Sequence, residues 1–323
     1  MKKVDYSVRD MLSVSGQNLF DDVAYQRVLG ASTHIRLISE MILDLCTESE
    51  SQKKSPQEFI KDVNQLSNFF KNTRGEASQA ISNAINLMTS GIDKMENHES
   101  RLIINQIKKN IEEFHQTNAK NLDHINCYAI ELLSGMDTIL LFDYSSTVGR
   151  MVESSITNTR VLIPESRVLN GGKPYIEKCL KGNHKIHYIP DAAIYYYLRD
   201  CDAVFIGSET LYPDGRVFNT VGSDLVASLC KITGVPFYVL TTLLKIDMRP
   251  LRGYQKPPVL IDLKEKYTEI MEKNFTNVID FSCPELVEIP AENITALITE
   301  EGIIPPSAIF QLGTEYINKI RGK

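Results

Sequence analysis

Two carboxylates stand where apolar runs end. Glu209 follows Ala203-Val204-Phe205-Ile206 after Gly207 and Ser208, and Asp143 follows Thr138-Ile139-Leu140-Leu141-Phe142. A short buried strand that ends in an acid delivers its carboxylate to the C-terminal edge of a sheet, where open α/β sheets place their ligands. Facing one another, the two groups could do acid–base work, because repulsion and burial raise one pKa. They could equally hydrogen-bond the hydroxyls of a ligand. Ser145, Ser146 and Thr147 come next, opening a helical pattern. A helix N-terminus offers free N–H groups and a favourable dipole to a phosphate, and three hydroxyls add donors. The same residue types favour plain N-capping. Arg167, beyond Arg160-Val161-Leu162-Ile163, suits bidentate contact with phosphate or carboxylate, or a surface ion pair. Asn219 and Gly222, past the turn Pro213-Asp214-Gly215, start a further helical pattern.

The elements that must position these residues change character near residue 130. Before it, apolar residues recur at helical spacing: Val28 to Leu45, Phe59 to Phe70, Ala77 to Met88 and Ile103 to Phe114. The polar stretch from Glu48 to Pro56 reads as a loop. Arg74-Gly75 interrupts a helical pattern, which is odd unless backbone or guanidinium must approach something. From Asp137 on, short apolar runs alternate with helical patterns. The runs are Thr138–Phe142, Arg160–Ile163, Lys185–Ile189, Ala203–Ile206 and Pro236–Leu240. The helical patterns between them are Val148–Ser155, Tyr175–Leu180, Ala192–Leu198 and Ser223–Thr233. Such alternation predicts a mostly parallel sheet with right-handed crossovers. The expected fold is α/β: a helical domain over residues 1–130, then a Rossmann-like, doubly wound sheet over residues 131–323.

Bulk properties narrow the function. The 323 residues carry net charge −6, with 43% hydrophobic residues. An acidic chain argues against nucleic acid as a direct partner, since phosphate backbones need basic patches. No apolar run approaches the ~18 residues of a membrane span, and the N-terminus has no signal-peptide core. The six cysteines form no CxxC pair, so no metal site is expected and buried reduced thiols of a cytoplasmic protein are the simpler reading. Neither a P-loop nor a GxGxxG is present, which argues against nucleotide hydrolysis and hydride transfer; no cofactor is expected.

These segments, in this order, resemble the family that joins the regulatory subunits of eukaryotic translation initiation factor 2B with two sugar-phosphate isomerases, acting on methylthioribose-1-phosphate and ribose-1,5-bisphosphate. The family pattern Gly-Ala-acid, Asn-Gly, Asn-Lys-x-Gly-Thr stands here as Gly207-Ser208-Glu209, Asp214-Gly215 and Asn219-Thr220-Val221-Gly222-Ser223. Glu165-Ser166-Arg167, then Asn170-Gly171, is similar to its Glu-Ser-Arg-Pro-x-x-Glu-Gly segment, and Asp191-Ala192-Ala193 to its Asp-Ser/Ala-Ala. Phe70 to Ser78 resembles a helical-domain segment whose arginine faces the ligand. Asp280-Phe281 with Pro284, and Glu292 to Ser307, resemble the C-terminal signatures.

The resemblance implies a phosphorylated small molecule as ligand, with Arg74, Asn219 and Lys245 joining Ser145, Ser146, Thr147 and Arg167 around it. It implies a homodimer and, in a eukaryotic host, other initiation factor 2B subunits as partners. It also sets the chain apart from the isomerases. Asp143 stands at their catalytic cysteine and Glu209 at their aspartate; the alpha subunits carry Glu there. Leu29 stands near an early arginine of the pattern, and Thr242 at a glutamate. The expectation is an alpha-subunit-like protein that binds a phosphosugar or nucleotide-type ligand without turnover. The alternative is an aldose–ketose isomerase with Asp143 and Glu209 as acid and base.

Overall fold

The computed structural model describes residues 6–28, 30–267 and 279–320. Two compact units divide the chain. One holds the chain up to Lys120, Leu244–Ile246 and the chain from Thr314; the other holds Asn121–Leu243 and Asp247–Gly313. The division falls within a helix, earlier than the change of pattern near residue 130.

The helical unit is built from α1 (Val14–Ala24), α2 (Ala31–Gln52), α3 (Pro56–Ala77), α4 (Gln79–Met88) and the first part of α5 (Ser100–Leu133). Its core is a single apolar cluster that includes Phe20, Ile38, Met41, Phe59, Val63, Phe70, Ile85 and Ile107. The stretch from Glu48 to Pro56, expected as a loop, is mostly helix: α2 runs to Gln52, and Lys53 stops it in a left-handed conformation. Glu48, Glu50, Ser51 and Gln52 lack apolar spacing because this end of α2 is largely in solvent, with only Ser49 buried among them. Ser55 then starts α3 with a capping box, its hydroxyl facing the Glu58 N–H while the Glu58 carboxylate accepts from the Ser55 N–H. Gly75 lies inside α3 rather than breaking it, and a Cβ there would collide with Ser82. Asn83 donates from Nδ2 to the Leu244 and Ile246 carbonyls at 2.9 and 3.0 Å, tying that short segment to the helices.

The second unit carries β1 (Thr138–Leu141), α6 (Ser146–Ser154), β2 (Arg160–Pro164), α7 (Lys173–Lys181), β3 (Lys185–Ile189), α8 (Ile194–Leu198), β4 (Ala203–Ile206), β5 (Thr210–Leu211), β6 (Val217–Thr220), α9 (Ser223–Thr233) and β7 (Phe237–Leu240). Then come β8 (Leu260–Asp262), α10 (Lys264–Tyr267), β9 (Ser282–Pro284), β10 (Leu286–Ile289), β11 (Ala296–Thr299) and β12 (Gly302–Ile304); α11 (Ile309–Ile320) ends the described chain. The main sheet has the order β12-β11-β7-β4-β1-β2-β3. All its pairs are parallel except β11–β12. Strands buried on both faces read as continuous apolar runs, which is why β1, β2 and β4 are so plain in the sequence. One face packs the end of α5 (Ile125, Ala129, Leu133) together with α6 and α7 against β1, β2 and β4. The strand order reverses between β1 and β4, the switch point where such sheets hold ligands. A small antiparallel sheet, β10-β6-β5, grows from the chain beyond β4, and β8 pairs with β9.

Gly222 joins the small sheet to α9 with φ of +97°, and a Cβ there would lie 2.7 Å from Phe142 Cζ. Gly222→Ala is therefore expected to destabilise the chain by about 1–3 kcal/mol, the range for left-handed strain in a packed setting. Urea unfolding checks it: the midpoint should fall with an unchanged slope.

Candidate functional site

The loop after β1 turns sharply at Asp143, which holds φ at +53° and is 7% exposed. Burial raises its carboxyl above the usual carboxylate range; hydrogen bonds from Thr220, from Ser166 and from the Tyr144 N–H oppose the rise. Ser166 Oγ donates to Asp143 Oδ1 at 3.1 Å. Gly171 lies against the same carboxylate, and a Cβ there would overlap it, 2.9 Å from the carboxyl carbon. Three segments thus close around this side chain: the loop after β1, the loop after β2 and the end of β6.

Buried side chains hold these loops in place. Tyr175 on α7 is fully buried, and burial keeps its phenol protonated well above its ordinary range. Its O–H donates to the Asp143 carbonyl at 2.8 Å and accepts from the Ser145 N–H at 2.9 Å. Asp191, after β3, accepts from the Ser166 and Arg167 N–H groups at 2.8 and 2.9 Å. Lys266 donates to the Arg167 carbonyl at 2.6 Å and to the Val168 carbonyl.

The anion-binding candidates are laid out beside this core. Ser145 is the N-cap of α6, its hydroxyl facing the Val148 N–H, so plain capping accounts for that side chain. Ser146 and Thr147 occupy the first turn, exposed and half-exposed. A Cβ on Gly207 would meet Ser145 Oγ at 2.5 Å, so the end of β4 lies directly against this helix start. The Arg167 guanidinium is exposed and 3.9 Å from the Glu165 carboxylate. Asn219 is buried in β6 and donates to Ser223 Oγ at 3.0 Å, at the start of α9.

Glu209 lies just ahead of β5, at the start of the small sheet. Its N–H donates to the Phe218 carbonyl at 2.8 Å, and the side chain is half-buried. Its carboxylate acts on Lys256 and on Glu285. The rise at Asp143 comes from burial, so repulsion between the two carboxylates, anticipated from the strand ends, is not its cause.

The helical unit holds Arg74 and Lys245. With the Gln26 amide turned so that its oxygen faces the guanidinium, Arg74 Nη2 donates to it at 3.0 Å; the Arg74 Nε is buried without a partner among the described residues, and burial lowers its pKa. Lys245 ends a 3-10 turn, Leu243–Lys245, and is half-exposed. Leu29 lies outside the described residues. Of the six thiols, Cys46, Cys179, Cys201 and Cys230 are buried and pushed up to about 12, whereas Cys127 is exposed and Cys283 half-exposed. No group of His, Cys, Asp or Glu among the described residues is arranged to hold a metal ion. No helix among them is long and apolar enough to cross a membrane.

A family model, the initiation factor 2 subunit family, matches residues 29–306. A ribose 1,5-bisphosphate isomerase of Methanocaldococcus jannaschii is 23% identical over 266 residues, covering 80% of this chain and 82% of its own. The translation initiation factor eIF2B subunit delta of Dictyostelium discoideum is 25% identical over 258 residues, 75% of this chain and 41% of its own. A crystal structure of Pyrococcus horikoshii OT3 translation initiation factor eIF-2B aligns with a TM-score of 0.73 at 17% identity, over 91% of this chain and 98% of that one. At that identity the likeness speaks for the fold alone.

Glu300 lies within the Glu292–Ser307 signature, which assigns it no role, although it is an acid directly after a buried apolar strand, β11. It is 7% exposed. Both carboxylate oxygens accept from the Leu243 N–H at 3.1 Å, one also from Asn121 Nδ2 at 3.3 Å. Burial, seconded by Glu301, raises it from 4.5 to about 7. The folded chain then binds the extra proton. The associated stability is complete below about pH 4.5 and is lost as pH rises through about 7. Wild type should lose about 3 kcal/mol through this group across that window. Glu300→Gln, neutral throughout, should lack that slope. Urea midpoints of both proteins against pH test this, and parallel profiles would refute it.

Proposed function

The chain belongs to the initiation factor 2 subunit family, and on that premise we propose that it is an initiation factor 2B alpha-subunit-like protein binding a phosphosugar or nucleotide-type ligand at the β1–β4 switch point without turnover. Ser146 and Thr147 at the α6 N-terminus would take the phosphate, with Arg167 as the bidentate cation. Asn219 and Glu209 would meet the sugar. Arg74 and Lys245, which the family pattern also implies, belong to the helical unit.

The observation that carries the absence of turnover is the state of Asp143. Isomerisation moves a proton between neighbouring carbons, so both the acid and the base must touch the substrate. The Asp143 carboxylate is buried, takes hydrogen bonds from Ser166, Thr220 and the Tyr144 N–H, and is closed over by Gly171. Its partner in the pattern, Glu209, acts on Lys256 and Glu285.

Two observations favour the aldose–ketose isomerase reading. Burial moves Asp143 in the direction a general acid needs, and a relative 23% identical to this chain is named a ribose 1,5-bisphosphate isomerase. The two readings separate in one experiment. Calorimetry with ribose phosphates should detect binding, while NMR at stoichiometric protein should detect no conversion of ribose-1,5-bisphosphate or methylthioribose-1-phosphate. Conversion that disappears in Glu209→Gln would establish the isomerase. Arg167→Ala should weaken binding by about 1.5–3 kcal/mol, the range for hydrogen bonds to charged groups; undiminished affinity would leave Arg167 a surface ion-pair residue.

The protein is further taken to be cytoplasmic and to form a homodimer through the sheet unit, with other initiation factor 2B subunits as partners in a eukaryotic host. Leu225 and Ile232 on α9, 58% and 72% exposed, give that unit apolar surface to cover. Light scattering at micromolar concentration should give twice the 36.5 kDa chain mass, and a single-chain mass would remove the dimer.

A further inference from the structure

Lys266 lies in no motif, yet its ammonium reaches 99 positions back along the chain to the loop after β2. Its Nζ donates to the Arg167 carbonyl at 2.6 Å and to the Val168 carbonyl as well. The segment that carries it is itself anchored. β8 pairs antiparallel with β9, Asp262 opposite Ser282. The Leu263 N–H donates to the Phe281 carbonyl at 3.1 Å, and the Lys266 N–H to the Leu263 carbonyl at 3.0 Å. The Tyr267 ring stacks on Phe281, with centroids 6.1 Å apart.

On the other side of the same loop, Asp191 takes the Ser166 and Arg167 N–H groups. Both peptide groups that flank the Arg167 Cα are therefore held, one through its N–H by an acid and the other through its carbonyl by a cation. That grip has strain to oppose. Ser166 and Asn170 carry φ of +46° and +54°, a conformation that residues with side chains keep only where their surroundings impose it. The loop's own backbone bonds, from the Leu169 and Gly171 N–H groups to the Ser166 carbonyl at 3.2 Å, take neither the Arg167 nor the Val168 carbonyl. Those two carbonyls are what Lys266 holds.

We propose that Lys266 is a positioning residue for Arg167: it holds the two carbonyls that fix the loop after β2, and so presents the guanidinium to the phosphate of a sugar-phosphate ligand. The β8–β9 segment thereby takes part in anion binding without touching the anion. The proposal rests on the binding reading above, but its first test needs no ligand. Amide hydrogen exchange is followed by NMR in ligand-free wild type and Lys266→Met. Exchange at Ser166 and Arg167 should rise about tenfold, the scale of losing one hydrogen bond, while Val161 and Ile163 in β2 keep their protection. Lys266→Arg, which retains the cation, should restore it. Calorimetry with ribose 5-phosphate then reads the consequence. Lys266→Met should weaken binding about tenfold, within the coupling range of residues in one hydrogen-bond network. In the Arg167→Ala background the same substitution should cost less than about twofold, because Lys266 acts only through that guanidinium.

Unchanged exchange at Ser166 and Arg167 in folded Lys266→Met overturns the proposal, as does failure of Lys266→Arg to restore protection. Raised exchange with undiminished affinity overturns it too. So does an equal loss of affinity in both backgrounds, which would make Lys266 a direct contact or a general support of the fold. Should Lys266→Met fail to fold, Lys266→Gln, polar but uncharged, is read by the same criteria. Raised exchange in a protein whose wild type binds no ribose 5-phosphate supports the hold of Lys266 on the Arg167 loop and removes the binding reading alone.

Discussion

A carboxylate taken out of water needs donors in place of the water it has lost, and at Asp143 those donors come from three stretches of chain. The Tyr144 N–H comes from its own loop, Ser166 from the loop after β2 and Thr220 from the end of β6. Meeting that demand shapes each contributor. Asp143 and Ser166 both adopt left-handed backbone, at φ of +53° and +46°. Gly171 must lack a side chain to lie against the carboxylate. Asp191 and Lys266 fix the backbone of the Ser166–Val168 loop, and Tyr175 bridges Asp143 to the start of α6. The crevice at the switch point is thus organised around a buried acid whose oxygens are occupied.

That constraint decides what the two strand-end acids can do together. Acid–base catalysis asks for two groups of different pKa facing one substrate. Asp143 is raised by burial in a packed, hydrogen-bonded interior, while Glu209, half-buried at the start of the small sheet, acts on Lys256 and Glu285. The side chains nearer solvent along this rim, Ser146, Thr147 and Arg167, are suited to an anion rather than to proton transfer.

The sheet and the polar strand ends were legible in the sequence for physical reasons. Central parallel strands are buried on both faces, so Ala203–Ile206 reads as an unbroken apolar run and begins and ends where expected; Lys185–Ile189, the edge strand, is only partly buried and shows itself by its β-branched and aromatic residues instead. What the sequence concealed depends on partners distant in the chain. Thr210–Leu211 is too short to show a strand pattern, and the β5-β6-β10 sheet needs Leu286–Ile289 to exist. Lys256 gives no local signal, since the groups it meets, Thr210 and the Phe218 ring, lie 256 − 210 = 46 and 256 − 218 = 38 positions away. Tyr175 reads as one more apolar position of α7, and only the fold reveals that its hydroxyl joins two loops. The polar end of α2 failed as a helix signal because amphipathic spacing vanishes where a helix runs out into solvent.

The departures from the isomerase pattern are easier to understand as one change than as several. Asp143 in place of cysteine and Thr220 in place of lysine are 77 positions apart (220 − 143), yet they are hydrogen-bonded to each other. A buried aspartate needs a short hydroxyl donor at its side, and threonine supplies one. An aspartate at 143 without the threonine would leave a buried acid short of a donor, among the costlier defects a folded chain can carry. The two departures therefore belong together: the hydroxyl of Thr220 is one of the donors, with Ser166 and the Tyr144 N–H, that a buried Asp143 requires.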